Sequence, residues 1–175
     1  MKSIDTLVKD IYDLFDPLVE VELDEKEVEA HLDSFTESIK ETLRNFLNEV
    51  PLKKRNLRLS AIGKPARQLW YDKNSKEEPK PLEPSTRVKF LYGHMLEDLL
   101  ILFSRLAGHT VTDLQKTVSV NGIKGHQDCV IDGVLVDCKS ASGRSFEKFS
   151  KNKLYSDDPF GYIAQISAYA EGNGV

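Results

Sequence analysis

Apolar positions recur at helical spacing along the first fifty residues. Ile4, Leu7, Val8, Ile11, Leu14 and Phe15 predict an amphipathic helix over Ile4–Val19, with Pro17 marking its exit. Past the acidic joint Val21–Glu25, a second and longer helix follows from Val28, Leu32, Phe35, Ile39, Leu43, Phe46 and Val50, which draw a single apolar stripe. Pro51–Trp70 then holds Lys53, Lys54, Arg55, Arg58, Lys64 and Arg67 without an acid, and Tyr71–Pro84, rich in Pro, Lys and Glu, reads as an exposed loop. Ser85 or Thr86 caps a helix that ends at Gly108, and its wide apolar face predicts burial against a sheet. Residues 110–141 alternate strand-like runs with two turn signals, Asn121-Gly122 and Asp132-Gly133, which predicts a three-stranded meander. Asp157 or Asp158, followed by Pro159, opens a last helix that stops near Gly172.

Length and charge divide this pattern into two parts. The 175 residues, 40% of them hydrophobic, suffice for one ordinary core with a helical appendage: an N-terminal helical extension over 1–50 and a main domain over 51–175. The formal net charge of −4 hides an asymmetry. Residues 1–50 carry five basic and fourteen acidic side chains, net −9, whereas the remainder carries nineteen and fourteen, net +5. A basic body attracts phosphates, and an acidic helical segment faces solvent or a protein partner. No apolar run approaches the roughly 18 residues of a membrane span. The N-terminus lacks the pattern of a secretory signal, so the expected compartment is the cytoplasm. Cys129 and Cys138 have neither zinc-ligand nor disulfide-framework spacing and are expected as reduced thiols.

The chemistry concentrates at the second turn. With Asp132-Gly133 as the centre of a tight hairpin, Ile131 faces Val134 and Asp128 faces Asp137. Directly opposed like charges are destabilising, and a divalent cation between the carboxylates would offset the repulsion. Lys139, two residues beyond Asp137, emerges on the same face. Cys129, Ile131, Val134, Val136 and Cys138 make the opposite face, which is expected to be core. A plainer reading stays open, in which Lys139 simply neutralises the two acids on a solvated face. Glu97 is a lone carboxylate among apolar residues of the preceding helix, and Gly93 would let that helix approach the sheet closely. A carboxylate so placed needs a partner, either a cation or His94 or an Arg.

The order Gly93-x-x-x-Glu97, Gly125-His126-Gln127-Asp128, Asp137-Cys138-Lys139 and Gln165-x-x-x-Tyr169 resembles the motif series of PD-(D/E)XK nucleases, in their RecB-like and phage (lambda-type) exonuclease branch. The likeness spans roughly residues 60 to 169. It implies an α/β (α+β) fold with a restriction-endonuclease-like core, a central mixed sheet containing the antiparallel meander and flanked by helices. By the same resemblance Asp128, Asp137, Glu97 and the Cys138 carbonyl would hold Mg²⁺, or Mn²⁺ in its place. Lys139 would orient or activate the attacking water, and Gln165 and Tyr169 would brace the site or touch the DNA backbone. Upstream, Ser60-Ala61-Ile62-Gly63-Lys64-Pro65-Ala66-Arg67 is similar to the segment some members write S-x-x-G-x-C-P-R, in which Ser60 and Arg67 would hold a phosphate. Pro65 stands where iron–sulfur members place a cluster cysteine, and two cysteines cannot supply four thiolates, so no iron–sulfur cluster is expected. His94 and His126 are left with supporting roles.

The resemblance therefore implies a Mg²⁺-dependent deoxyribonuclease, foremost an exonuclease of phage-type replication, recombination or repair, in the cytoplasm of a bacterium or a phage-infected host. A structure-specific endonuclease or junction resolvase is the nearest alternative. A non-catalytic DNA-binding module, whose acidic N-terminal helices dock a recombination partner, is the alternative of a different class. DNA is the expected partner, held through Arg55, Arg58, Ser60, Lys64, Arg67 and Tyr169. The family's further C-terminal strand has no counterpart before Val175, so the sequence is expected to be a fragment or to have that sheet edge covered otherwise.

Overall fold

Helices form where the apolar stripes and start signals coincide. In the computed structural model, which describes residues 2–48, 56–76 and 81–175, a 3-10 turn at Ile4–Thr6 leads into α1 (Leu7–Asp13), and α2 spans Glu25–Asn48. A second 3-10 turn at Leu59–Ala61 precedes α3 (Ala66–Asn74), and α4 spans Pro84–Leu106. Five short strands follow: β1 (Val111–Thr112), β2 (Thr117–Val120), β3 (Ile123–His126), β4 (Cys129–Ile131) and β5 (Val134–Val136). Then come α5 (Gly143–Ser150), a 3-10 turn at Lys153–Tyr155 and α6 (Tyr162–Gly172). The fold is mixed α/β, and among the described residues the strands form a two-stranded sheet, β2-β3, and a three-stranded sheet in the order β1-β4-β5.

The expected meander is therefore divided. Its long middle strand is split into β3 and β4, which pair with different partners: Val118 with Gly125 and Val120 with Ile123 in one ladder, Val111 with Ile131 in the other. The cause lies opposite the break, where Asp113 and Gln115 take left-handed backbone angles (φ 52° and 49°) and bend the chain between β1 and β2. Hydrogen bonds from Gln115 N–H to the Asp128 carbonyl and from Gln127 N–H to the Lys116 carbonyl, 2.9 and 3.1 Å, carry the pairing through the bend. Both paired ladders are antiparallel, with one isolated parallel bridge between Arg58 and Lys124, where a single mixed sheet was expected. Both turn signals act as predicted. Asn121-Gly122 and Asp132-Gly133 have positive φ at both positions, the demand of a two-residue turn matched to strand twist.

The chain makes two compact units, Met1–Val50 with Leu82–Thr112 and Cys129–Val134, and Pro51–Pro81 with Asp113–Asp128 and Leu135–Val175. The expected division at residue 50 is thus one boundary among several, because α4, β1 and β4 join the N-terminal helices. In the first unit α2 packs along α4, tied by Ser38 Oγ donating to Asp98 Oδ1 at 2.8 Å and by the Arg87 guanidinium donating to the Phe46 carbonyl. Burial lifts the Asp98 carboxyl above the usual range, against the opposing Ser38 hydrogen bond. Phe15 meets the edge of Phe103 at 5.2 Å, which seats the end of α1 on the same helix. Pro84 occupies the first turn of α4, ahead of the expected Ser85 or Thr86 cap, and Gly108 (φ 79°) closes it as expected. α4 is less buried than its apolar face suggested: Leu102 and Ser104 are enclosed, whereas Val88, Phe90, Tyr92 and Leu96 are exposed. Val134, expected in the core, is 45% exposed at the turn, while Cys129 and Ile131 on its predicted face are fully buried.

A buried histidine links three segments of this unit. His109 Nδ1 lies 2.6 Å from Asp132 Oδ2, and its Nε2 lies 3.2 Å from Asp10 Oδ2, which Lys2 and Thr6 also contact at 2.9 Å. Burial would raise the Asp132 carboxyl, but hydrogen bonds from His109 and the Thr110 N–H outweigh it and leave the carboxyl below its ordinary value of 3.8. A depressed carboxylate stabilises the fold above its unfolded pKa and ceases to do so as pH falls through the folded value. His109→Ala is expected to cost on the order of 3 kcal/mol in denaturant unfolding, because it strands a carboxylate only 1% exposed. Asp132→Asn keeps a residue that tolerates the left-handed angle. It should lower stability at pH 7 and flatten the loss seen below pH 4; an unchanged acid limb would contradict this assignment.

The second unit is centred on Leu59, Val118, Ala168 and Tyr169, with Val120, Ile123 and Leu135 against them. Two glycines make the packing possible. A Cβ on Gly125 would stand 2.7 Å from Leu59 Cβ and 2.9 Å from Tyr169 Cε1, and one on Gly63 would stand 2.2 Å from the Gly161 Cα. Gly125→Ala is expected to destabilise the protein by about 1 to 3 kcal/mol through overpacking, read as a lower denaturant midpoint.

Candidate active site

Three chain segments of the second unit converge on the expected chemistry. The residue after β3 and Gln127 is Asp128, the residue after β5 is Asp137, and α6 supplies Gln165 and Tyr169 one turn apart. Asp128 Oδ2 accepts the Cys138 N–H at 2.6 Å, which fixes the Asp128 side chain against the Asp137–Lys139 segment. Asp137, 8% exposed, accepts from Gln165 Nε2 at 3.0 Å on one oxygen and pairs with Lys139 Nζ at 2.6 Å on the other. Gln165 Nε2 also reaches the Tyr169 hydroxyl at 3.2 Å, and Lys139 Nζ lies 3.4 Å from the Cys138 carbonyl. The two acids, the lysine, the glutamine and the tyrosine form one connected group.

The electrostatics are those of a compact ion cluster. Burial works against the Lys139 ammonium, but the hydrogen bond and charge of Asp137, joined by Asp128, prevail and hold it above its ordinary value of 10.5. Burial raises the Tyr169 phenol, and the Asp137 and Asp128 charges add to that rise, so it remains a neutral hydroxyl. Behind the group, Asn173 Nδ2 donates to the Gln127 side-chain carbonyl at 2.6 Å, locking the fully buried Gln127 beside Asp128.

A cavity of about 420 Å³ opens in front of Asp128, Gln165 and Tyr169, and its wall also holds Arg58, Ser60, Lys124 and His126. Arg58 and Ser60 stand there as expected. Lys64 and Arg67 are not among its lining residues: Lys64 lies 3.9 Å from Asp72, and the Arg67 guanidinium sits 5.8 Å over the Tyr71 ring, both interactions within the α3 region. Arg55 falls outside the described residues. Lys124 was missed by sequence reasoning, although it could have been found: Lys124, His126 and Asp128 are spaced by two, so along one extended segment they share a face. His126 Nδ1 is 3.2 Å from Thr117 Oγ1, which orients the ring on that face.

Glu97 belongs to the first unit. It lies on α4 with its side chain 14% exposed, and His94 Nδ1 is 4.0 Å away, the alternative partner foreseen for it. The second unit by itself thus gathers four of the five expected catalytic side chains, Asp128, Asp137, Lys139 and Gln165. Among the described residues, no three or more His, Cys, Asp or Glu side chains are grouped to hold a metal ion. Asp128 accepts the Cys138 N–H, Asp137 pairs with Lys139, and the Cys138 carbonyl lies 3.4 Å from the same Lys139 Nζ.

No family model, curated protein or solved structure matches this chain.

Lys139→Met would leave Asp137 with Gln165 alone. The expected loss is about 2 kcal/mol at pH 7, below the cost for a fully enclosed pair because the lysine side chain is 26% exposed. A raised ammonium contributes fully below its unfolded pKa, so this difference from wild type should persist unchanged across pH 6 to 9 in denaturant unfolding. A difference that vanishes within that window would show that the pair is not what holds Asp137.

Proposed function

We propose that the second unit carries the active site of a Mg²⁺-dependent deoxyribonuclease with a PD-(D/E)XK-type, restriction-endonuclease-like core. The observation that carries this reading is the joining of Asp128, Asp137, Lys139 and Gln165 into one hydrogen-bonded group beside a cavity with basic residues in its wall. The donor chemistry fits the metal. Two carboxylates and a backbone carbonyl are hard oxygen ligands, the set Mg²⁺ takes together with water and phosphate. Asp128, Asp137 and the Cys138 carbonyl would hold the ion, and the ammonium of Lys139, already 2.6 Å from Asp137 and 3.4 Å from the Cys138 oxygen, marks that corner as favourable for positive charge. When bound, the ion supplies Lewis acidity toward the scissile phosphate and makes water a better nucleophile.

The protein's own groups do the rest. Gln165 pins one oxygen of Asp137 and so fixes the direction of the other. Lys139, held as an ammonium, steadies the negative charge that builds on the phosphate as water attacks. Arg58, Lys124 and Ser60 hold neighbouring phosphates along the cavity, which carries no sequence information and makes binding sensitive to salt. An exonuclease is the first choice within this class, on the motif resemblance alone.

Linear double-stranded DNA incubated with the protein should be degraded with Mg²⁺ or Mn²⁺ and remain intact in EDTA. Asp128→Asn, Asp137→Asn and Lys139→Ala should each reduce degradation at least a hundredfold while DNA binding in EDTA stays measurable. A second reading is favoured by the Lys139–Asp137 pair itself, which already neutralises one acid: a DNA-binding module without catalysis. Wild-type protein that binds DNA but leaves it intact with either metal would establish that module and remove the enzyme.

A further inference from the structure

A second cleft is lined in part by the Asp137–Lys139 pair, which is not among the lining residues of the first cavity, and its chemistry is different. About 320 Å³ in volume, it is walled by Leu135, Phe149, Leu154, Tyr162, Ile163 and Ile166, with Asp137 and Lys139 also among its lining residues. That volume is at the lower end of small-ligand clefts, roughly 300–1,000 Å³. A largely apolar slot with one cation in its lining suits a ligand that is flat and apolar at one end and anionic at the other.

The aromatic geometry narrows the ligand. Elsewhere in the chain, Phe15–Phe103, Phe46–His94 and Trp70–Tyr71 meet edge to face, at interplanar angles of 82°, 64° and 89°. At this cleft Phe149–Tyr162 and Phe160–Tyr162 instead lie at 32° and 30°, with centroids 5.8 and 5.5 Å apart. Both phenylalanines, Phe149 in the cleft wall and Phe160 beyond it, are thus tilted 32° and 30° from the Tyr162 ring plane, nearer to parallel than to edge-on. Phe160 is 63% exposed, so this series runs out to the surface. Lys139 Nζ stands 5.9 Å over the Tyr162 ring, which ties the apolar wall directly to the phosphate-facing ammonium. Burial holds the Tyr162 hydroxyl protonated, with Asp158 and Asp137 adding to the rise and Lys139 opposing it.

We propose that this cleft takes an unpaired nucleobase, stacked on Tyr162 and Phe149, whose own phosphate lies at Lys139. The inference rests on the nuclease reading for the role of Lys139 and deepens it: the substrate is a single strand, or a strand end with its last bases unpaired, since a base inside a duplex cannot leave its stack without cost. Stacking on an aromatic side chain contributes roughly 1–3 kcal/mol per base and is indifferent to base identity.

The test uses single-stranded oligonucleotides with one 2-aminopurine placed at successive positions, bound to the full chain in EDTA so that hydrolysis plays no part. Wild type should quench the reporter several-fold at a restricted set of positions. A duplex of the same sequence closed by hairpins at both ends should show no quenching. Tyr162→Leu should abolish the quenching and weaken single-strand binding about tenfold, whereas Tyr162→Phe should preserve both. Phe149→Leu gives the same reading from a second ring if Tyr162→Leu does not fold. Binding without position-dependent quenching, or undiminished quenching in the folded Tyr162→Leu and Phe149→Leu variants, overturns the base site. Degradation with Mg²⁺ is scored separately: a protein that degrades DNA but never quenches loses only this cleft, and one that quenches but never degrades keeps the cleft and loses the hydrolase.

Discussion

A carboxylate almost removed from water must keep a cation and donors around it, and Asp137 imposes that condition on the second unit. Its two oxygens are engaged by Lys139 and Gln165, one two residues away in sequence and the other on α6. Holding Gln165 in place in turn fixes where α6 begins. Asp158 does this: burial would raise its carboxyl, but backbone N–H groups at the start of α6, foremost Ile163 at 2.8 Å, hold it below the usual range. The left-handed turn at Gly161 lets the chain press against Gly63. A stability requirement at one acid thereby sets the orientation of the whole candidate site.

The same economy appears at Tyr169. Its ring is core, in contact with Leu59 across the space that Gly125 leaves open, while its hydroxyl accepts from Gln165 and lies in the wall of the basic cavity. Core and site share one residue, so packing errors in the second unit are transmitted to the chemistry without any change in the acids or the lysine. This also explains why the 3-10 turn at Leu59–Ala61 matters. Leu59 is fully buried, and its neighbours Arg58 and Ser60 are carried to the cavity by the anchoring of a single leucine.

Legibility in the sequence followed the length over which each signal is written. The turns Asp132-Gly133 and Asn121-Gly122 were legible because their positive-φ demand is local and unambiguous. The division of the meander was not legible, because Asp113 and Gln115 carry no glycine to announce their left-handed angles. Short helices also escaped. α3 follows Pro65 without a side-chain cap to announce it, and α5 lies in a Ser-rich run with Phe146 and Phe149 as its apolar pair. Among the candidate site residues, Asp128, Asp137, Lys139 and Arg58 stood out from pattern and charge, and Ser60, Gln165 and Tyr169 from the motif resemblance. Lys124 shares the alternation of Lys124, His126 and Asp128, and the fold sets its place in the cavity wall.

Charge at the candidate site couples the proposed metal to the proposed substrate. Asp137 pairs with the Lys139 ammonium, and Asp128 accepts the Cys138 N–H. On the proposed reading, a phosphodiester approaching that group would be repelled by the acids and attracted by Arg58 and Lys124 in the cavity wall. A divalent cation bound by the acids would attract the phosphate, so phosphate and cation would each favour the other's binding, and linkage makes the effect equal in both directions. Without that cation the basic residues would give weak, salt-sensitive attachment. Asp137 already has a structural role through Lys139 and Gln165, so what the proposed cation adds is the coupling between metal and phosphate that a metal-dependent hydrolase requires.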